Sequence, residues 1–337
     1  MSVALQLDDE FQELEALGTG ELLRNEPLAP RLSVRAGGSA DALVRPDSPE
    51  SLVAALRWTR KAKLPLHVLG GGANTLVGDG GVPGVTVQLP PRLFPEETEA
   101  LASQLVRLTL GAGAPIARLV VMMKAQGLVG AEFLAGIPGT LGGAVTMNAG
   151  TKMGECMSVV DAVEVATADG LRWIPRVEIP VAYRESRLPA DSVVTRIRFL
   201  LKRGDERAIA ASRTQMDEDL AYRKRTQPLS LPNFGSVFRN PKNPHPSVGN
   251  PRGEGVLAGT FAGALIEEAG LKGTVVGRAQ ISSLHANWMV NLGGAQAKDF
   301  DQLIALTRET VRQRSGVELH PEVKRVGRFE VEQFHGS

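Results

Sequence analysis

The chain has 337 residues, 43% hydrophobic and 22% charged, and its 38 basic and 37 acidic side chains leave a net charge of +1. That length exceeds one ordinary core and predicts two or three domains, while near-neutrality supplies no bulk field for nucleic acid or an anionic membrane. With Cys156 as its only cysteine the chain allows no intrachain disulfide and no cysteine-rich zinc site, as expected in a reducing cytoplasm.

The N-terminal stretch MSVALQLDDEFQELEALG is acidic and lacks the basic and apolar regions of a signal peptide. Phe11, Leu14, Leu17 and Leu22 recur at helical spacing and predict a peripheral helix ended by Pro27 and Pro30. RLSVRAGGSADALVRP predicts two strands around a turn at Gly37-Gly38. Ser48 as N-cap and Pro49 at the first helical position start a helix with Leu52, Val53, Leu56 and Trp58 on its apolar face. Pro65 then opens a strand that runs into GGGANTLVGDGGVPG. This loop lacks G-x-G-x-x-G spacing and leads to Asn74-Thr75-Leu76 and Asp79-Gly80 rather than a long helix, which argues against a Rossmann fingerprint. Its amides, with Asn74 and Thr75 beside them, are suited to a pyrophosphate cradle.

A second unit begins near Gln104 with a strand, a Gly-Ala-Gly turn and a helix carrying Ile116, Leu119, Val120 and Met123 on one face. The stretch Gly130–Gly150, GAEFLAGIPGTLGGAVTMNAG, follows; it has no lysine or arginine and one acid, Glu132. Glycine at this density makes a poor helix or strand. Two readings fit the residues: a buried crossover between strands, or a backbone cradle for an anion with Pro138 pre-setting the turn at Gly139. Alternating residues around Ala168-Asp169-Gly170 predict a hairpin. Tyr183-Arg184-Glu185-Ser186 precedes the strand SVVTRIRFLLKRG, and a charged helix over DERAIAASRTQMDEDLAYRKR opens a third unit. That unit continues with NFGSVFRNP, an exposed loop from Lys242 to Glu254, a short helix from Ala262 to Leu271 closed by Gly270, and a strand from Trp288 to Leu292. A helix from Phe300 to Ser315, a strand from Val317 to Leu319 and HPEVK complete it. Met122, Met123 and Met153 read as core filler, and Cys156 as a buried structural thiol.

Eight segments in this order (Ala36-Gly37-Gly38-Ser39-Ala40, HVLGGGANTLVGDGGVPG, GAEFLAGIPGTLGGAVTMNAG, YRES, NFGSVFRNP, AGALIEEAGLKG, LHANWMVN and LHPEVK) resemble the bacterial UDP-N-acetylenolpyruvoylglucosamine reductases of the MurB type. The resemblance implies an α+β fold. It would comprise an N-terminal extension (1–30), two FAD-binding subdomains of the vanillyl-alcohol-oxidase-like, PCMH kind (31–100 and 101–204), and a C-terminal α+β substrate-binding domain (205–330). It further implies non-covalent FAD, NADPH as reductant, no metal, and a cytoplasmic enzyme, here expected as a monomer, acting on UDP-N-acetylglucosamine enolpyruvate in peptidoglycan precursor synthesis. Ala73 and Thr75 stand where the family usually shows Ser and Leu, Phe234 where Ala is more common, and Ala264 where a basic residue is common. The short spacing from Ser186 to Val193 is similar to the shorter type, which lacks a long insertion after YRxS.

Reducing an enolpyruvyl ether places hydride on the terminal carbon and a proton on the carbon beside the carboxylate, through an enolate-like charge. No side chain donates hydride, so a flavin or nicotinamide is required. By resemblance Ser236 is the proton donor, Arg184 faces the substrate carboxylate, and Glu322 is the remaining acid. Each residue alone has a plainer reading: a turn serine, an arginine paired with Glu185, and a solvated acid paired with Lys324. The resemblance further implies two backbone walls against FAD. One is Gly70, Gly71, Gly72, Ala73, Asn74 and Thr75; the other is Gly136, Ile137, Pro138, Gly139, Thr140, Gly143, Ala144 and Asn148. Tyr183, Arg223, Lys224, Asn240 and His285 are candidates for the substrate pocket, although His285 reads equally as a structural histidine. The competing functions are a flavin-dependent oxidase of the same fold, for which His67 is the only attachment residue in the first subdomain, and a non-catalytic UDP-sugar-binding module.

Overall fold

The computed structural model describes residues 11–102, 104–241 and 261–329. The expected loop at Lys242–Glu254 and the first ten residues of the N-terminal helix lie outside the described residues. The chain divides into two compact units, one of residues through Glu26, 40–71 and 83–223, the other of 27–39, 72–82 and Lys224 onward.

Residues 11–16 are helical, with Phe11 and Leu14 buried. The helix does not reach Leu22 as expected. Gly18 and Gly20 take φ of +62° and +91°, which breaks it, and strand β1 (Glu21–Pro27) follows. The hairpin expected around Gly37-Gly38 is also replaced. Ala29–Arg31 forms a 3₁₀ turn with proline in its first positions, and only β2 (Ser39–Arg45) is a strand. Leu32, Val34 and Ala36 alternate because they are buried, not because they pair in a ladder.

Helix α1 (Pro49–Ala62) starts with a reciprocal capping box: Ser51 N–H donates to Ser48 Oγ, and Ser48 N–H to Ser51 Oγ, both at 3.1 Å. Strands β3 (Leu66–Val68), β4 (Thr75–Val77) and β5 (Val82–Val87) follow. The first sheet runs β1-β2-β5-β3, with β3 and β5 parallel. Next come β6 (Glu97–Ala100), β7 (Leu105–Gly111), helix α2 (Ile116–Gln126), β8 (Leu128–Val129), the short helix α3 (Leu141–Thr146), β9 (Gly150–Thr151) and β10 (Gly154–Glu155). Met122 and Met123 are core residues, but Met153, at the tip between β9 and β10, is 59% exposed, contrary to expectation.

The predicted hairpin forms β11 (Val160–Thr167) and β12 (Gly170–Pro175), closing on the pair Thr167–Gly170. It precedes β13 (Val181–Ala182), β14 (Glu185–Ser186) and the long β15 (Val193–Arg203). The second sheet has the path β12-β11-β15-β7-β6, with β8 pairing β15. On it, Glu164 is buried under Arg196, whose Nη2 and Nε donate to its two carboxylate oxygens at 2.7 and 2.9 Å. Helix α4 (Glu206–Thr226) carries only two buried residues, Ser212 and Met216.

In the second unit, β16 (Asn233–Ser236), helix α5 (Ala262–Glu268), β17 (Val275–Val276), β18 (Ala279–Ile281) and β19 (Trp288–Asn291) give a sheet of order β16-β19-β18-β17. Helix α6 (Ala297–Ser315) follows. The Asp79 carboxylate caps it, accepting from Ala297 N–H at 2.8 Å and Lys298 N–H at 2.9 Å. Phe234, one of the departures from the family pattern, packs edge-on to Phe300 at 4.9 Å and is a core residue. No strand forms at Val317–Leu319. The pairing occurs later, at β20 (Lys324–Val326), where β4 offers a parallel partner in the register Lys324–Thr75.

Candidate active site

The first unit brings the two glycine-rich stretches together. A Cβ added to Gly71 would lie 2.8 Å from Gly139 Cα, and one on Gly70 would lie 2.7 Å from Thr140 Oγ1. Neither position tolerates a side chain without movement: at Gly71 main chain touches main chain, and at Gly70 main chain touches the Thr140 hydroxyl. Gly139, after Pro138, has φ +106°. Ile116 N–H donates to Gly139 O at 3.0 Å and Leu141 N–H to Ala114 O at 2.9 Å, which pins this wall to the entry of α2 and the loop before it. Thr140 Oγ1 accepts from Gly143 N–H at 3.4 Å. Among the described residues, the N–H groups of Gly71, Gly139 and Thr140 donate to no protein acceptor. Amides grouped in this way form an anion-binding concavity.

Other members of the two predicted walls behave differently. Gly72 is buried in the second unit, where a Cβ would meet Arg31 O at 2.4 Å. Ala144 and Asn148 are 2% and 0% exposed, so no ligand reaches them, and the expectation that they contact the cofactor is corrected. Burial follows from their place on the inner side of α3 and the turn after it. Gly136, Ile137 and Pro138 remain accessible. Arg223 lies against this wall: its Nη1 donates to Gly136 O at 3.3 Å, and burial pushes its guanidinium pKa down while Asp219 opposes the shift. Lys224 is exposed.

Tyr183 and Arg184 form the two-residue turn between β13 and β14, with Val181–Ser186 and Ala182–Glu185 as the ladder pairs. Arg184 has φ +60°, uncommon for a residue with a Cβ and costing roughly 1–2 kcal/mol. Its guanidinium carbon stands 5.1 Å from the Tyr183 ring centre. The carboxylate of Glu185, the partner in the plainer reading of Arg184, takes Arg187 Nε at 3.0 Å.

The second unit places Ser236 and Glu322 on adjoining segments. Strand β16 is irregular between Asn233 and Ser236; Asn233 Oδ1 accepts from Gly235 N–H at 3.0 Å and Gly235 has φ +78°. Such a bulge re-aims the side chain that follows it. One residue later, Val237 O accepts from Glu322 N–H at 2.7 Å, and Arg239 N–H donates to His320 O at 2.9 Å. Asn287 completes the clamp, its Nδ2 donating to Phe238 O at 2.8 Å and its Oδ1 accepting from Phe238 N–H at 2.9 Å. Sequence reasoning selected His285 from LHANWMVN and passed over Asn287, although an asparagine directly before a strand is a signal for such a backbone clamp. His285 Nδ1 accepts from Asn287 N–H at 3.2 Å, and its ring is tilted against Trp288 at 6.1 Å, which fits the structural reading. Asn240 Oδ1 accepts from Ala262 N–H at 3.0 Å, at the start of α5. Among the described residues no group of His, Cys, Asp and Glu could hold a metal, and no helix is long and apolar enough to cross a membrane.

Residues 40–173 match the family model described as FAD binding domain, and residues 227–326 match UDP-N-acetylenolpyruvoylglucosamine reductase, C-terminal domain. An α+β chain with a bare-backbone anion cradle inside the first match is a flavoprotein of the FAD-binding class, extended by a reductase C-terminal domain. The UDP-N-acetylenolpyruvoylglucosamine reductase of Myxococcus xanthus is 58% identical over 316 residues, covering 94% of this chain and 96% of that relative. Reductase 1 of Bacillus anthracis is 37% identical over 319 residues, covering 94% and 98%. The crystal structure of the Thermus caldophilus reductase matches at 33% identity with a TM-score of 0.72, covering 91% of this chain and 98% of that one. The chain belongs to the UDP-N-acetylenolpyruvoylglucosamine reductase family.

Proposed function

We propose that this protein reduces UDP-N-acetylglucosamine enolpyruvate to UDP-N-acetylmuramate with NADPH, through non-covalently bound FAD. The observation that carries the reading is the contact of Gly70-Gly71 with Gly139-Thr140, with amides of both walls lacking protein acceptors. These residues fit a flavin dinucleotide, because a diphosphate can lie against bare main chain and accept from it without a cationic side chain. Bound there, FAD would supply the hydride carrier between NADPH and the enolpyruvyl carbon, which no side chain of this protein can be.

The chain's own residues bind, orient and protonate. Arg184, held at a hairpin tip, is the group for the substrate carboxylate: its fork pairs bidentately with a carboxylate and keeps its charge as the enolate develops. Ser236, re-aimed by the bulge at Phe234-Gly235, gives its proton to the carbon beside the carboxylate. Glu322, whose main chain is bonded to Val237, holds or orients a proton for the same step. Tyr183, Arg223 and Lys224 are the candidates for the sugar nucleotide. We read the protein as a cytoplasmic monomer without nucleic-acid or membrane partners; its net charge of +1 supports the last two points. The four-part division at residues 30, 100 and 204 is kept as a functional one, with the N-terminal extension packed beside Trp58.

The test is an absorbance spectrum of the purified protein, followed by reduction with NADPH and titration with the enolpyruvyl sugar nucleotide. A yellow protein whose reduced flavin is reoxidised by that substrate without oxygen is expected. Colourless protein that releases no flavin on denaturation sinks the enzyme reading. Flavin that stays with the denatured polypeptide points instead to an oxidase attached through His67.

A further inference from the structure

Asn148 closes the glycine-rich stretch, fully buried and with φ +41°. Its side-chain amide is engaged at both ends: Oδ1 accepts from Met157 N–H at 3.1 Å, and Nδ2 donates to Glu155 Oε2 at 2.8 Å and to Ala182 O at 3.2 Å. Ala182 is the last residue of β13, directly before the Tyr183–Arg184 turn. On the other side of that turn, Ser186 Oγ donates to Val145 O at 2.7 Å. Both arms of the hairpin are therefore fastened to one short piece of chain, Val145 to Asn148.

We propose that Asn148 is a positioning residue for Arg184, carrying the geometry of the flavin-side wall to the arginine that meets the substrate carboxylate. The proposal rests on the role given to Arg184 above. A hairpin with two ladder pairs is marginal by itself, and a non-glycine residue in the left-handed region stores strain that its surroundings must hold. The two external bonds supply that hold. Asparagine suits the position because it tolerates positive φ and offers two donors and one acceptor; aspartate would set a carboxylate against Glu155 and a carbonyl. A rigid mount matters because displacing a charged group by about 1 Å can cost on the order of 100-fold in rate.

The experiment compares Asn148→Ala, Ser186→Ala, Arg184→Ala and the double variant Asn148→Ala/Arg184→Ala as FAD-bound enzymes. Flavin content, flavin reduction by NADPH, reoxidation by the enolpyruvyl sugar nucleotide, and hydrogen exchange of the Tyr183–Ser186 amides are measured. For Asn148→Ala, flavin content and NADPH reduction should stay within about twofold, while reoxidation slows and hairpin exchange quickens by about tenfold or more. In the Arg184→Ala background, removing Asn148 should cost less than about twofold more, since its effect runs through Arg184. Multiplying losses in the double variant, or unchanged hairpin exchange, overturns the proposal. If Asn148→Ala does not fold, Ser186→Ala loosens the same hairpin and carries the same expectations. Reoxidation at the wild-type rate in Arg184→Ala alone is a separate result that overturns the role of Arg184 itself.

Discussion

The side-chain amide of Asn74 donates to the main-chain carbonyl of Glu322 at 3.0 Å, and Lys324 N–H returns to Asn74 O at the same distance. The loop GGGANTLVGDGG thus divides its duties. Gly70 and Gly71 lie against the second glycine wall in the first unit. From Gly72 on, the loop is built into the second unit, where Asn74 fixes the chain at Glu322 and Asp79 caps α6. Asn74 is accordingly a holder of a candidate catalytic acid as much as a cofactor contact.

Replacing Asn74 by Asp turns a donor into an acceptor facing a carbonyl. The loss should be about 1–3 kcal/mol in unfolding free energy, read as a lower denaturation midpoint with unchanged m-value. Asn74→Ala should cost less than Asn74→Asp, because it leaves the Glu322 carbonyl unpaired without adding repulsion. The reverse order in urea titrations would argue that Asn74 does not bond to Glu322.

At Gly71 the prediction concerns the cofactor. A Cβ there would meet Gly139 Cα at 2.8 Å, a distance that backbone cannot yield cheaply, so Gly71→Ala must part the two walls. The variant should fold, as Gly71 is exposed, but bind flavin at least about tenfold more weakly. The ratio of flavin absorbance to protein absorbance after gel filtration measures this. Gly294→Ala makes a control for backbone strain alone: Gly294 carries a positive φ, +78°, which Gly71 does not, and its Cβ would meet nothing within 4 Å, so that variant should keep its flavin.

How much of this was legible in the sequence varies with the physics involved. The N-cap at Ser48, the Ala168-Asp169 hairpin and helices α2, α4 and α6 were readable, because their signals are local. The strand β20 was not, since only the distant partner β4 makes Lys324–Val326 extended. Likewise β1 was read as helix from Leu22, although two glycines stood in the way. In the site, the glycine walls and YRES were visible as motifs, but not which polar residues face inward. Asn148, Asn287 and Asp79 serve backbone groups far away in sequence, and no spacing rule exposes that.

Ser236→Ala separates the two halves of the reaction. Hydride transfer from NADPH needs no proton from Ser236, so flavin reduction should keep its wild-type rate. Reoxidation by the enolpyruvyl sugar nucleotide needs that proton, and should slow by roughly 100-fold or more, the range for removing a positioned general acid. Stopped-flow absorbance resolves both phases. Reoxidation at the wild-type rate would remove Ser236 from the chemistry and leave it as a bulge residue paired with Trp288.

Cys156 gives a prediction independent of catalysis. It is wholly buried, and desolvation pushes its thiol from 9.0 up to about 12. At pH 8 the native protein should therefore resist iodoacetamide, since the thiolate is the reactive form, and should label only after denaturation. The sign of the stability effect follows from linkage. The folded state keeps the proton that the unfolded chain loses near pH 9, so the folded state binds more protons between pH 9 and 12. Stability linked to Cys156 is complete below pH 9 and falls as pH rises, by about 1.4 kcal/mol per unit and at most about 4 kcal/mol. Cys156→Ala should lose this slope. The difference between the two proteins' denaturation midpoints should therefore change steadily from pH 9 upward and stay flat below it; a difference constant across that range would mean that the thiol is not held neutral.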